Sequence, residues 1–170
     1  PWQGRGSLGT DDVVSDRYAI IALAWAGGMG EVHRARDWLS GGDVALKVIH
    51  TTEPADLRRF DREARIACAL EHPGIVRYTA HGSLPDGRPY LALEWLEGED
   101  LAIRLARGPL TVRETVELGI ILARALSYAH GLGVVHRDVK PANIFLVGGS
   151  VQAPRLLHFG VAWVLESEGR

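Results

Sequence analysis

A short segment near the end of the sequence brings together three side chains suited to phosphoryl-group chemistry. It runs from His136 to Asn143 and reads HRDVKPAN. The carboxylate of Asp138 can accept a proton from a hydroxyl group, and the ammonium of Lys140 can offset charge on a phosphoryl group. The amide oxygen of Asn143 is a hard ligand of the kind that magnesium prefers. A loop of this composition is by default a surface turn, but the ordered set favours a chemical role.

A second candidate is a lysine within an apolar strand. Lys47 directly follows Val44-Ala45-Leu46, and burial of its ammonium is costly unless the charge is paired. Glu63, in the helix predicted next along the chain, is the obvious partner. Three interpretations are open for Lys47: a structural salt bridge, a position on a solvated face, or an ammonium that binds the α and β phosphates of a nucleotide.

Three glycines, Gly27, Gly28 and Gly30, separate two short apolar runs. Glycine lets a backbone approach phosphate oxygens closely and direct its amide groups at them. This signal is weak alone, because glycine turns commonly join two strands. No Lys-Ser or Lys-Thr pair follows at the required spacing, so the Walker A type of phosphate loop is excluded.

Length, composition and charge argue against several other classes of protein. The 170 residues suffice for one domain with a sizeable core, and the net charge of -2 provides no basic field for nucleic acid. The longest uncharged stretch, Tyr18 to Gly30, is shorter than the roughly 20 residues that cross a bilayer. The single cysteine, Cys68, excludes an internal disulfide and fits a reducing compartment. We therefore expect a cytoplasmic protein with no membrane segment and no nucleic-acid partner.

The elements that would position these residues are strands first and helices later. Strands are predicted on both sides of the glycine turn and over Asp43 to Ile49. Residues 55–70 and Thr111 to Ala129 have helical periodicity, and Thr111 with Glu114 forms a capping-box pattern. Shorter elements are a helix over 100–107 and strands over 75–80, 90–96, 133–135, 144–147 and 155–157. The order indicates an α+β fold, with residues 1–16 as a flexible lead-in.

In order and spacing, these segments resemble the catalytic domain of the bacterial, Hanks-type serine/threonine protein kinases. Further matches to that family are FDREA from Phe60, HPGIV from His72 and EWLEG from Glu94. The resemblance covers residues 17–165 and implies a two-lobe fold. The N-lobe, an antiparallel sheet plus one helix, and the hinge would occupy residues 17–97. The first part of the helical C-lobe would occupy residues 98–170.

The resemblance implies ATP-dependent transfer of a phosphoryl group to serine or threonine hydroxyls of a protein substrate, assisted by magnesium. Asp138 would be the catalytic base, Lys140 would meet the γ phosphate, and Asn143 would bind a metal ion. Lys47 would contact the α and β phosphates and pair with Glu63. The glycine turn would cover the phosphates. Val32, Ala45 and Phe145 would enclose the adenine ring, and Leu93 would guard the pocket behind it. The backbone of Glu94 and Leu96 would hydrogen-bond the edge of the ring.

The sequence departs from the family pattern at three points. Trp25 stands at the first glycine of the Gly-x-Gly-x-x-Gly loop, and we expect it to lower nucleotide affinity. His158 precedes Phe159-Gly160 where the family has the aspartate that holds magnesium, so His158 and Asn143 are the metal candidates. An imidazole is a poor substitute for that carboxylate, so we expect weakened or lost metal binding and much slower turnover. The chain stops at Arg170, about where the family's activation segment begins, so we expect a truncated larger lobe.

Three functional hypotheses follow. The first is a serine/threonine protein kinase domain, favoured by Lys47, Glu63, Asp138 and Asn143. The second is a nucleotide-binding pseudokinase or scaffold, favoured by His158. The third is an inactive piece of a kinase, favoured by the point at which the sequence stops. The resemblance favours the kinase at the level of the family, whereas we expect little or no transfer by these 170 residues themselves.

Overall fold

The computed structural model describes residues 6–28 and 30–159, without the side chains of Arg59 and Glu63. The chain forms two compact units. The first unit comprises residues 1–68 and 78–95, and the second comprises residues 69–77 and 96–170. These units differ from the lobes predicted from the sequence chiefly in the short segment of residues 69–77.

That short segment belongs to the second unit because its backbone and side chains pack there. Ile75 is buried in the core of the second unit and forms an isolated parallel bridge with Leu156. Val76 N donates to Leu156 O at 3.0 Å, and Leu156 N donates to Gly74 O at 2.8 Å. The strand expected to start at Ile75 therefore starts only at Tyr78.

The first unit is a six-stranded antiparallel sheet with one helix, as expected for the N-lobe. The strand order is β1-β2-β3-β4-β6-β5, so β4 lies inside the sheet. The helix begins at a proline, where the missing amide costs no hydrogen bond. The elements are β1 (Val13–Val14), β2 (Tyr18–Gly27), β3 (Gly30–Asp37), β4 (Asp43–Ile49), α1 (Pro54–Cys68), β5 (Tyr78–Ser83) and β6 (Pro89–Glu94).

One face of this sheet carries an apolar core. Val44, Leu46 and Val48 alternate along β4 and are buried in a single cluster with residues of β2, β3 and β6. Leu8 is buried in the same cluster, and β1 pairs with β2. Leu8 and Val14 therefore pack onto the sheet within the segment expected from composition to be a flexible lead-in, of which residues 1–5 lie outside the described residues. One leucine among glycines and polar residues anchors the segment, and it has no periodicity that the sequence could reveal.

The second unit combines helices with a three-stranded antiparallel sheet of order β7-β8-β9. Its elements are β7 (Gly98–Asp100), α2 (Leu101–Ala106), α3 (Val112–Gly131), a 3-10 turn (Pro141–Asn143), β8 (Ile144–Val147) and β9 (Pro154–Leu156). The predicted capping box is present, because Thr111 Oγ1 accepts from Glu114 N at 3.2 Å and Thr111 N donates to Glu114 Oε2 at 2.7 Å. Leu118, Ala125 and Ala129 face the core of this unit.

The strand predicted over residues 133–135 does not form. Gly133 N donates to His130 O and Val134 N donates to Ala129 O, both at 2.9 Å. The positive φ of Gly133, 74°, reverses the chain at this point. These amides therefore close the end of α3 and are not available to a sheet. Within residues 6–28 and 30–159, no helix combines the length and apolar character that crossing a membrane requires.

Candidate active site

The three polar residues predicted for the catalytic loop are in direct contact in the second unit. Lys140 Nζ lies 2.7 Å from Asp138 Oδ2. Asn143 Nδ2 donates to both Oδ2 and the main-chain oxygen of Asp138, each at 2.8 Å. The hydrogen bond from Lys140, opposed by partial burial and assisted by Asn143, lowers the pKa of Asp138 below its ordinary value. The carboxylate is therefore ionised at neutral pH, and two donors fix its orientation.

His136 lies behind the catalytic loop, and the sequence did not single it out for a role of its own. It is buried, and its Nε2 lies 2.7 Å from Leu157 O. Asp138 N donates to His136 Nδ1 at 3.3 Å, and the imidazole meets the ring of Phe159 edge to face at a centroid distance of 4.6 Å. Burial lowers the pKa of His136, so the neutral imidazole donates from Nε2 and accepts at Nδ1. His136 thus holds the backbone of Asp138 against residues 157–159.

His158 follows β9 and comes directly after Leu157, whose backbone bonds to that of Asn143. Leu157 N donates to Asn143 O at 2.9 Å, and Ile144 pairs with Leu156 in the sheet. The φ of His158 is 64°, in the left-handed region, where aspartate and asparagine are also enriched. The backbone conformation at this position is therefore compatible with the aspartate of the family pattern. Gly160, the last residue of that pattern, lies outside the described residues.

The donor atoms at this position do not fit magnesium well. The hydrogen bonds of Asn143 use its Nδ2, which leaves Oδ1 as the candidate oxygen ligand, but the second predicted ligand, His158, offers only nitrogen. The carboxylate of Asp138 is already bonded to Lys140. Among the residues that the structure describes, no group of three or more histidine, cysteine, aspartate or glutamate side chains could hold a metal ion. The missing carboxylate at residue 158 therefore leaves an incomplete set of ligands.

Strand register places most of the residues predicted to hold the nucleotide on one face of the sheet in the first unit. Val32 pairs with Lys47 across β3 and β4, and Ala45 pairs with Leu93 across β4 and β6. Directly paired residues of antiparallel strands project to the same face, and residues two apart along a strand do as well. Val32, Ala45, Lys47 and Leu93 thus share one face, opposite the apolar core. We call it the Lys47 face.

Lys47 is half-buried on this face. Burial lowers the pKa of Lys47 to about 8, because the ammonium loses hydration. At pH 7 the charged form still predominates by roughly ten to one. The side chain of Glu63 lies outside the described residues, so the Lys47–Glu63 ion pair stays a prediction.

The three glycines of the turn between β2 and β3 have different surroundings. A Cβ atom on Gly30 would collide with the main-chain oxygen of Val48, and Gly30 has a φ of 148°. A Cβ on Gly27 would lie 2.6 Å from Cζ2 of Trp25. A Cβ on Gly28 would have no described atom within 4 Å. Gly30 is therefore required by the approach of β3 to β4, whereas Gly28 has open space around it.

Trp95, which directly follows β6, makes a contact with Arg34 of β3 that the sequence did not reveal. The guanidinium of Arg34 lies over the ring of Trp95 at 5.0 Å from its centroid. The same guanidinium donates from Nε to Asp43 Oδ2 at 2.6 Å.

The other residues predicted to hold the adenine lie in both units. Glu94, which ends β6, pairs with Val44 of β4. In the second unit, Leu96 and Phe145, the latter on β8, are both partly buried.

Comparison with known proteins places these features in a family context. A family profile for the protein kinase domain matches residues 21–170. Serine/threonine-protein kinase PknB of Mycobacterium tuberculosis is 38% identical over 167 residues, which cover 94% of this chain and 26% of PknB. Serine/threonine-protein kinase pkn2 of Myxococcus xanthus is 37% identical over 166 residues, which cover 95% of this chain and 20% of the relative. The chain thus spans about a quarter or less of these relatives.

A solved structure gives the same result for the fold. The kinase domain of PknI from Mycobacterium tuberculosis superposes with a TM-score of 0.82 at 30% sequence identity. The match covers 91% of this chain and 62% of that domain. Both units of this chain therefore have counterparts in a kinase domain, and the fold agrees with the two-lobe architecture expected from the sequence.

Proposed function

Since this chain belongs to the protein kinase family, and to its serine/threonine branch, we propose that it binds ATP and carries the groups that transfer the γ phosphate to a protein hydroxyl. The observation that carries the proposal is the contact of Asp138, Lys140 and Asn143 within one loop. Each of the three is joined to another by a bond of 2.7 or 2.8 Å. A surface turn of the same composition would not require this arrangement.

The chemistry follows from the state of the Asp138 carboxylate. Its lowered pKa keeps it ionised, so it can accept the hydrogen bond, and then the proton, of a serine or threonine hydroxyl. Asn143 holds the carboxylate in one orientation through Oδ2 and the main chain. Lys140 would move toward the γ phosphate and offset its charge. In the first unit, Lys47 would bind the α and β phosphates.

The substrates and location follow from the family. The substrate would be a protein with an accessible serine or threonine, and the phosphoryl donor would be ATP. Use of ATP and the single cysteine both suit a cytoplasmic kinase domain. The ion that kinases use to bridge and neutralise the phosphates is magnesium. The ligands at residues 143 and 158 do not fit that ion well, and we therefore expect slow turnover.

His158 supports one second candidate, a nucleotide-binding pseudokinase. In that case the loop around Asp138 would be kept for its packing, and the chain would bind ATP without transferring phosphate. The two candidates differ in what an aspartate at residue 158 should do. An impaired kinase should gain magnesium-dependent ATP binding, whereas a pseudokinase should bind ATP equally with and without the ion.

The test is calorimetric measurement of ATP affinity, with and without magnesium, for the unaltered chain and for His158→Asp. A matched control is His130→Asp, which makes the same change at an exposed histidine at the end of α3. We expect His158→Asp alone to gain magnesium-dependent affinity. Unchanged, metal-independent binding in that variant would support the pseudokinase. Absence of ATP binding by every variant would refute the proposed function.

A further inference from the structure

We infer that the indole of Trp25 covers part of the glycine turn. The phosphates of an incoming nucleotide must displace this indole, which we call the Trp25 cap. The inference rests on the proposed binding of ATP and adds a residue that controls access to the turn. It concerns a position where the family pattern has glycine and this chain has its largest type of side chain.

The indole lies directly on the glycine turn. A Cβ atom built on Gly27 would be 2.6 Å from Cζ2 and 3.3 Å from Cζ3 of Trp25, so the six-membered ring fills the space beside the Gly27 α-carbon. Residues 25 and 27 are two apart on β2, and their side-chain directions are therefore the same. Glycine at residue 27 is what allows the ring to lie there.

The face of the sheet on which this occurs is the Lys47 face. Trp25 pairs with Val32 across β2 and β3, and Val32 pairs with Lys47 across β3 and β4. The three side chains thus form a row across three strands of one face. A nucleotide whose phosphates contact Lys47 and the amides of the glycine turn would approach the turn from this face. The ring of Trp25 therefore occupies space that the phosphates need.

The indole is held loosely enough to be displaced. Trp25 is 51% exposed, and it is absent from the apolar cluster on the opposite face of the sheet. Rotation about its side-chain bonds would release the contact with Gly27 without opening a cavity in that core. The contact therefore lowers nucleotide affinity without abolishing binding, because binding must replace one favourable contact with another.

The ligand that Trp25 opposes is a polyphosphate and not the nucleoside. The turn would meet phosphates, whereas the adenine would lie further along the Lys47 face, against Val32, Ala45 and Leu93. Removal of the indole should therefore tighten ATP and ADP binding and leave adenosine binding nearly unchanged. A stacking platform for the base would give the opposite result, because its removal would weaken all three ligands.

The test measures the affinities of ATP, ADP and adenosine for the unaltered chain, Trp25→Gly and Trp25→Ala. The matched control is Trp38→Ala, since Trp38 is similarly exposed, at 58%, and lies beyond the end of β3. We expect both substitutions of Trp25 to tighten ATP binding by about tenfold and adenosine binding by less than about twofold. Using two substitutions guards against an effect of glycine flexibility alone.

Fluorescence provides a direct view of the displaced ring. The chain has five tryptophans, so the signal of Trp25 is obtained as the difference between the unaltered chain and Trp25→Phe. We expect this difference signal to shift to longer wavelength when ATP binds and to stay constant with adenosine. Equal or weaker ATP binding by Trp25→Gly and Trp25→Ala would overturn the inference while leaving ATP binding intact. Absence of ATP binding by all variants would instead remove the proposed function, and the cap with it.

Discussion

The loop around Asp138 and the glycine turn are both predicted to handle phosphate, but they are built in opposite ways. In the loop, Lys140 and Asn143 bond to Asp138, so the reacting groups are already oriented. In the turn, the ring of Trp25 lies against Gly27 on the face expected to meet phosphate. A polar site stabilised by its own hydrogen bonds can keep its geometry without ligand, whereas a glycine turn depends on which side chain lies over it. We therefore expect the departures from the family pattern to affect nucleotide access and metal binding more than proton transfer.

The largest effect that would sharpen this comparison is expected at Asp138. In a His158→Asp background, Asp138→Asn should lower the rate of phosphate transfer by about a hundredfold to ten-thousandfold, because the proton acceptor is lost. ATP affinity, measured by calorimetry, should stay within about twofold of the parent. A large loss of ATP affinity would show that the loop and nucleotide binding are not separable in this way.

The glycines of the turn should differ from each other in stability. Gly30→Ala should cost about 2–4 kcal/mol, since its Cβ would collide with the main-chain oxygen of Val48 at an unfavourable φ. The matched substitution Gly28→Ala should cost less than about 1 kcal/mol, because no described atom lies within 4 Å. Urea unfolding followed by circular dichroism measures both. Equal costs would contradict the structural role assigned to Gly30.

Substitutions of the two lysines of the chain should affect different steps, namely ATP binding for Lys47 and phosphate transfer for Lys140. Lys47→Met should lower ATP affinity by about tenfold to a hundredfold, because a charged hydrogen bond to phosphate is lost. Burial lowers the pKa of Lys47 to about 8, so ATP affinity of the unaltered chain should decline as the pH rises through that value. Lys140→Met should mainly slow transfer. An affinity that is constant between pH 7 and 9 would argue against Lys47 as the phosphate ligand.

A smaller effect is expected from the buried imidazole behind the loop. Burial lowers the pKa of His136 in the folded state, so the unfolded chain binds a proton first as the pH falls. The neutral imidazole of His136 therefore makes its full contribution to the free energy of unfolding above about pH 6.5. This contribution is lost as the pH falls below that value. His136→Phe should cost about 1–3 kcal/mol at pH 8, because Leu157 O loses its donor.

The pH dependence gives this prediction its control. Between pH 5 and 7, urea unfolding of His136→Phe should vary less with pH than that of the unaltered chain. If His136→Phe kept the full pH dependence, another group would have to be responsible.

Much of the fold could be predicted because local chemistry determines it. Strand β4 has the bounds expected from its apolar run, and α3 begins at the predicted capping box of Thr111 and Glu114. The contact among loop residues 138–143 was foreseeable from their order and spacing. In these places the hydrogen-bonding partners lie a few residues apart, so the sequence contains the information directly.

The remainder depends on contacts between distant residues. The role of His136 requires Leu157 and Phe159, which lie more than twenty residues further along the chain. The ring of Trp25 reaches Gly27 within one strand, but its place on the Lys47 face follows from a register with irregularities in the pairing of β2 with β3. The positions of these two side chains are determined by strand pairing and packing, and no periodicity in the sequence predicts them.

The most direct test of the central claim is the rate of phosphate transfer from ATP to a generic protein substrate by His158→Asp. The residues of the loop around Asp138 are in contact, whereas residue 158 lacks the carboxylate that we expect the metal to need. We therefore expect His158→Asp to transfer phosphate in magnesium at least about a hundredfold faster than the unaltered chain. The unaltered chain should be about as slow as the double variant that combines His158→Asp with Asp138→Asn. Rapid transfer by the unaltered chain, or no gain in His158→Asp, would contradict the account.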